Sequence, residues 1–451
     1  MKSGLLALAI LALGGSLAVV CGTAPAAAPG PPTPTKSPVI PYQVPDHQTY
    51  TPEAARPFFD SFSWQSFVAL NWPVAVASSG RPVRGKADTG KTIGDSGPPR
   101  VWETWKASWE TFKKGGAAPS EWSSYDSTPP CNGVNAEGKV LLMVSKVNSV
   151  TDGINEAFSG PLIDQNRNYT RYEIRFNETE FNAIRNNQWY LRSKLPKDPT
   201  NPVNFASSVQ GSYGAIEVKA AWRELVAGQD DFNRYYAVKG IIIEPGTPHT
   251  CRNATLGLVG LHIASKVDPF REWIWSTFEH VDNVPASYPP PAGIRYSFND
   301  GRNVQPNPQG YDYQPANLPD GKPIPPIEQR KPVQVSRVTP IPKDTQAMNA
   351  RYQDLLRGTV WQNYQLVATQ WPTTVGKFKV QGNYPENSDF PFPAKAVANT
   401  ALETYLQTQD CTSCHYMAAQ TDFSFILDHA AYPPGGKALK ALTTRMLHSH
   451  P

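Results

Sequence analysis

Near the C-terminus stands Cys411-Thr412-Ser413-Cys414-His415, and this run constrains the fold more than any other feature. Two thiols at C-x-x-C spacing can each form a thioether to one vinyl group of a single haem. The histidine that follows then turns under the ring as an iron ligand. A group of that size has to be enclosed, and the stretch from Tyr416 to Pro451 is too short to do so alone. The preceding chain must therefore supply part of the haem pocket. Two competing readings of C-x-x-C lack partners. A four-cysteine zinc site needs a second cysteine pair, whereas the other cysteines are the dispersed Cys21, Cys131 and Cys251. A thioredoxin-like dithiol belongs in a βαβ context that the surrounding sequence does not offer.

Thioether attachment takes place on the outer face of a membrane, so the N-terminus bears on the same question. Lys2 precedes an apolar run from Leu5 to Val20, and Ala24-Pro25-Ala26-Ala27-Ala28 follows. A basic start, a short apolar core and an A-x-A site predict a secretory signal over residues 1–28, too short for a membrane span. The expected location is periplasmic or otherwise exported. Cys21-Gly22 offers lipidation at Cys21 as an alternative, against which stands Val20, where a lipoprotein signal prefers Gly or Ala. No later segment is apolar for long enough to cross a bilayer. With Cys411 and Cys414 assigned to haem, Cys131 and Cys251 remain. In an oxidising compartment they are most simply a disulfide, with two free thiols as the alternative.

Forty per cent hydrophobic residues suffice for a large core. The net charge of +4 is spread thinly, which argues against nucleic acid or an anionic membrane as partner. The 45 prolines call for long ordered loops and connectors. A Pro-rich linker covers residues 29–50. Ala54 to Pro73 then reads as a short helix with an aromatic run, and Trp102 to Phe112 as a second helix whose Trp102, Trp105, Trp109 and Phe112 share one face. From Lys139 to Asn283 the period becomes two. Lys139–Lys146, Ala215–Ala221, Tyr235–Glu244, Leu256–Lys266 and Glu272–Asp282 are expected strands. No long helices separate them, so the fold class is α+β: an antiparallel sheet or sandwich over residues 51–283, flanked by helices. Residues 284–343 form a Pro-rich loop, either wrapped over the sheet or serving as a connector. Residues 344–451 make a small helical c-type haem region. It holds a helix at Asp344–Gly358, which Trp361–Gln370 continues or follows, a loop from Gly376 to Pro393, an amphipathic helix at Ala394–Gln407 and another at Gly436–Leu447.

His415 is the expected proximal iron ligand, and the opposite side of the iron is open. Met446 is one candidate, since a Met/His pair suits electron transfer, and Met348 a weaker one. Met417 stands too near His415 to reach the other face. His262 and His280 are alternatives, because ionisable groups inside core-like strands are costly unless paired. Glu217 and Lys219 share that property. A pocket of His262, Glu279 and His280 would provide a distal ligand, a proton donor, or a metal site of two histidines and one carboxylate. The competing reading is a solvated sheet face or a satisfied polar network.

A wider resemblance runs through Trp64-Gln65-Ser66-Phe67, Ala69-Leu70-Asn71-Trp72-Pro73, Pro99 to Lys106, Ile216 to Arg223, Gly260-Leu261-His262-Ile263 and Trp273 to Asn283. Gln370-Trp371-Pro372, Ala398-Asn399-Thr400, Cys411 to His415 and Asp422-Phe423-Ser424-Phe425 extend it. Together these segments resemble a bacterial group labelled "cytochrome c family protein". The resemblance implies one covalent haem c, held through Cys411, Cys414 and His415, and export. The leading expectation is a monohaem c-type cytochrome that passes single electrons to redox partner proteins in the periplasm. The alternatives are a haem-dependent oxidoreductase with a pocket around His262 and Glu279-His280, and a polymer- or partner-binding module that carries its haem as an appendage. A bare electron carrier needs far less chain than this, which favours the alternatives.

Overall fold

Thr51 and Pro52 set the start of the first helix. In the computed structural model the Thr51 hydroxyl accepts a hydrogen bond from the Ala54 N–H, and proline takes a first-turn position where its missing N–H costs nothing. Helix α1 runs Pro52–Leu70. The structure describes residues 30–44, 51–126, 139–141, 161–198, 200–244, 250–270, 272–302, 326–373, 379–381, 384–386, 391–392 and 397–431. The expected signal segment, Cys21, Cys131, Met446 and the helix at Gly436–Leu447 lie outside these residues. The chain divides into two compact units, Met1–Gly30 and Pro31–Pro451, and the second is described below.

Its centre is a sheet of nine strands among the described residues. In chain order these are β3 (Lys106–Ala107), β4 (Lys139–Leu141), β5 (Arg171–Phe176), β6 (Ile216–Glu224), β7 (Ala237–Glu244), β8 (Thr250–Ser265), β9 (Ile274–His280), β10 (Tyr364–Pro372) and β13 (Pro391–Phe392). The order across the sheet is β13-β10-β9-β8-β6-β5-β3; β7 also pairs with β8, and β4 with β7. Only the β4–β7 pair is parallel. Strands β1 (Val74–Val76) and β2 (Pro82–Ala87) form a separate hairpin, as do β11 (Lys379–Gln381) and β12 (Tyr384–Glu386). The antiparallel sheet is thus as expected. It is one sheet with both faces covered, which the choice between sheet and sandwich had left open. No helix among the described residues is long and apolar enough to cross a membrane.

Strict alternation divides the residues between the two faces. Val218, Ala220, Leu261, Ile263 and Phe278 join one core with α1 and with α4 (Lys343–Leu355). Trp64 lies flat on Tyr352 with centroids 4.9 Å apart, and its indole N–H donates to Asn349 Oδ1 at 2.9 Å. Trp64, Trp102, Trp222, Trp273, Trp361 and Trp371 are all fully buried. These rings fill the interior. The other face carries Glu217, Lys219, His262, Ala264, Trp275, Thr277 and Glu279, and residues between 399 and 425 cover it.

Asp60 is buried inside α1, where burial lifts its carboxyl to about 6 against the pull of the Thr345 and Thr369 hydroxyls. The folded chain holds this proton more tightly than the unfolded chain, where the value is near 3.8. Its contribution to stability is therefore complete below about pH 4 and is lost as pH rises through about 6, a change of roughly 3 kcal/mol. Urea unfolding from pH 4 to 7 should show wild type losing that much more than Asp60→Asn. Parallel curves would contradict the assignment.

Three expectations need correction. Trp102–Phe112 is not one helix: a 3₁₀ turn at Trp102–Thr104 gives way to β3 and then to α2 (Ser108–Thr111). The Arg84 guanidinium takes the Thr104 carbonyl, and that of Arg175 takes the Trp105 carbonyl at 2.8 Å. Those oxygens are engaged from outside, and Lys106 pairs with Phe176 across the sheet. Trp361–Gln370 becomes a short 3₁₀ turn followed by β10, drawn out by pairing with β9. Residues 397–407 hold turns where a helix was expected, because side chains compete for the backbone: Asn399 Oδ1 accepts from Ala401 N–H at 2.8 Å and Glu403 Oε2 from Asn399 N–H at 2.8 Å. Strand β5 was not anticipated, although Tyr172, Ile174 and Phe176 alternate with charged residues. Among the described residues of the Pro-rich segment, Val333 and Val335 are buried in a cluster with Tyr172, Ala221 and Val259 of the sheet, and their N–H groups donate to Ile163 and Phe298 carbonyls.

Candidate functional site

Cys411–His415 forms a five-residue helix, α5. Asp410 caps it, accepting from Ser413 N–H at 2.8 Å, and the same oxygen receives Gln370 Nε2–H at 3.1 Å. Gln370 Oε1 accepts from both the Thr412 N–H at 2.8 Å and its hydroxyl at 2.9 Å. Gln370 is fully buried on β10 and pairs across the sheet with Trp275 of β9. One amide thus clamps α5 to the sheet, with the two thiols a single helical turn apart on neighbouring sides.

Both thiols are free. Burial pushes Cys411 well above the usual thiol range and Cys414 up to about 12, with Asp410 and Glu403 adding to each effect. They are held as protonated thiols, unlike the reactive thiolate of a dithiol redox centre.

His415 packs against two aromatic rings. The Trp275 ring lies 4.1 Å away and the Phe425 ring 4.9 Å, centroid to centroid. Nδ1 donates to the Phe423 carbonyl at 2.5 Å, and Nε2 makes no hydrogen bond among the described residues. Burial pushes the imidazole down to about 4, partly offset by the Phe423 bond and reinforced by the charges of Lys219 and His262. At neutral pH the ring is uncharged, with its proton on Nδ1 and a lone pair on Nε2. A metal-ligating histidine whose second nitrogen is fixed by a carbonyl has this form.

The sheet provides the opposite wall. Lys219 and His262 are cross-strand partners on β6 and β8, and His262 is paired in turn with Thr277 on β9. His262 Nε2 lies 3.3 Å from Glu403 Oε2. Burial raises the Glu403 carboxyl, but His262, the Asn399 N–H and Lys219 outweigh it and leave the group below its ordinary value. Glu217 accepts from the Ser424 hydroxyl at 2.6 Å. On α3 (Glu178–Asn186), Glu180 is fully buried beside Glu217 and Asp422 with neither carboxylate oxygen hydrogen-bonded, and burial holds it well above the ordinary range. Gly260 admits the turn segment: a Cβ there would sit 3.2 Å from Leu402 Cδ1 and 3.3 Å from Asn399 Oδ1.

The pocket expected from His262, Glu279 and His280 does not assemble. His280 points to the opposite face and is fully buried, stacked on Tyr235 at 4.1 Å. Its Nε2 lies 2.9 Å from the Arg234 carbonyl and its Nδ1 accepts from Asp282 N–H at 3.1 Å, so neither nitrogen has a free lone pair. Glu279 shares the His262 face, but its oxygens are taken by Arg337, by Gln365 at 3.0 Å, and by Thr400 N–H and hydroxyl at 3.1 and 2.7 Å. It anchors the turn that leads to Cys411. Among the described residues no group of three or more His, Cys, Asp or Glu is placed to hold a metal ion. Met348 is buried in the α1/α4 core. Cys251 is disulfide-bonded, while Cys131 is outside the described residues.

Sequence reasoning missed Glu403 and the Phe423 carbonyl. Glu403 was absorbed into an expected helix, and a backbone acceptor leaves no residue-type signal. Two thiols, a clamped helix and one imidazole with a free Nε2 match the donors a c-type haem requires. No family model matches the chain, and neither a curated protein nor a solved structure matches it.

Proposed function

We propose that this chain is an exported c-type haem protein that transfers single electrons, in keeping with its resemblance to the cytochrome c group. The observation that supports it most is the Nδ1–H bond from His415 to the Phe423 carbonyl, one residue beyond two free thiols. When bound, the haem supplies a reversible one-electron couple. Cys411 and Cys414 would provide the two thioether sulfurs, on a helix that Gln370 and Asp410 fix. His415 Nε2 would hold the iron, with Trp275 and Phe425 packed against its imidazole. His262 would be the candidate for a second iron-binding nitrogen. The disulfide at Cys251 agrees with an oxidising compartment, and so with export.

A second reading, a haem-dependent oxidoreductase, draws on the contact of His262 with Glu403, both about one-fifth exposed. That pair would hold and pass a proton beside a bound oxidant. Carbon monoxide separates the two readings. The reduced protein should be low-spin and indifferent to carbon monoxide, and His262→Ala should make it responsive. A wild-type protein that binds carbon monoxide at once would favour the oxidoreductase.

A further inference from the structure

Behind the hydrogen bond that orients His415 lies a buried ion pair. Lys266 Nζ is 2.5 and 2.6 Å from the two Asp422 carboxylate oxygens, and the side chains are 1% and 0% exposed. Lys266 directly follows β8. Its N–H donates to the Ala215 carbonyl at 2.9 Å and its own carbonyl accepts from Ser208 N–H at 2.9 Å, so the lysine is rooted at the sheet. Asp422 Oδ2 also accepts from Phe205 N–H at 2.6 Å.

Asp422 and Phe423 are consecutive left-handed residues, with φ of 58° and 64°. Side chains with a Cβ avoid that region, aspartate less than phenylalanine. Two in succession persist only where the surroundings over-determine them. Here the carboxylate is gripped by an ammonium and a backbone N–H, and the Phe423 ring is fully buried among apolar neighbours. The turn they make aims the Phe423 carbonyl at His415 Nδ1.

We propose that Lys266 and Asp422 are positioning residues for His415. Their ion pair locks the 422–423 turn, which fixes the proton on Nδ1 and presents the Nε2 lone pair. The geometry stands without a haem; its redox consequence rests on the function proposed above. A strong Nδ1–H bond makes the imidazole a better donor and stabilises the oxidised iron, so loosening the turn moves the midpoint potential to more positive values.

The test compares the full-length protein with Asp422→Asn and with the double variant Lys266→Met/Asp422→Asn. Asparagine tolerates the left-handed conformation, and the double variant leaves no buried charge unpaired. Asp60→Asn, on the other side of the sheet, is the control for altered stability alone. The readouts are solvent exchange of the His415 Nδ1 proton by NMR of the reduced protein, and the midpoint potential. Both variants should exchange at least tenfold faster and show a more positive potential, while Asp60→Asn changes neither. If the double variant does not fold, the Asp422→Asn single variant decides by the same readouts. Folded variants with wild-type exchange and potential would overturn the proposal. Faster exchange in a chain that carries no haem would uphold the positioning role and refute the haem assignment.

Discussion

Arg223→Met is expected to destabilise the fold by about 3–5 kcal/mol, the usual consequence of removing one partner from a buried ionic network. Arg223 is 1% exposed on β6. Nε donates to Asp164 Oδ2 at 3.0 Å and Nη2 to Asp230 Oδ1 at 2.9 Å, while Nη1 reaches the Tyr235 and Ser297 hydroxyls at 3.4 and 3.3 Å. Methionine roughly fills the volume but leaves two buried carboxylates without a cation. Burial already lifts Asp164 to about 6 even with Arg223 beside it. Without the guanidinium Asp164 should take up a proton more readily still, so the deficit should shrink at low pH. Denaturant unfolding at pH 7 and pH 5 checks both points. A loss under 1 kcal/mol, or one that does not change with pH, would show that the network carries little.

His415→Ala should have the largest effect on the proposed site. The thioethers through Cys411 and Cys414 would keep the haem in place, while the iron would lose its proximal nitrogen and turn from low-spin to high-spin. Alanine also removes the ring that packs against Trp275 and Phe425, whose centroids lie 4.1 and 4.9 Å from it. Added imidazole should restore the low-spin spectrum. An unchanged spectrum in the variant would mean that the iron is held by other residues.

Part of this was legible in the sequence because the chemistry is local. The proposal of a haem rests on five contiguous residues, since two thioethers and an iron-binding nitrogen would have to reach one ring. Ile216–Glu224 and Ile274–His280 were legible because alternation is a property of each strand by itself. Tyr364–Pro372 was not: Leu366 and Val367 sit side by side, where a bulge against β9 shifts the register, and that adjacency destroys a period of two. Residues 397–407 carry a true helical row at Val397, Ala401 and Tyr405, but Asn399 and Glu403 capture the N–H groups that a helix would use. His262 and His280 looked equivalent as histidines in core-like strands. Only the register assigns one to the Cys411 face and the other to a closed network with Arg234 and Asp282. The Lys266–Asp422 pair spans 156 residues and left no local trace.

The bonding of Cys411 and Cys414 to a porphyrin is tested most directly by the intact mass of the purified protein after acid-acetone extraction. The mass should exceed the polypeptide by one haem, with the colour still in the protein pellet. Colour passing wholly into the acetone, with a residual mass equal to the bare chain, would contradict it.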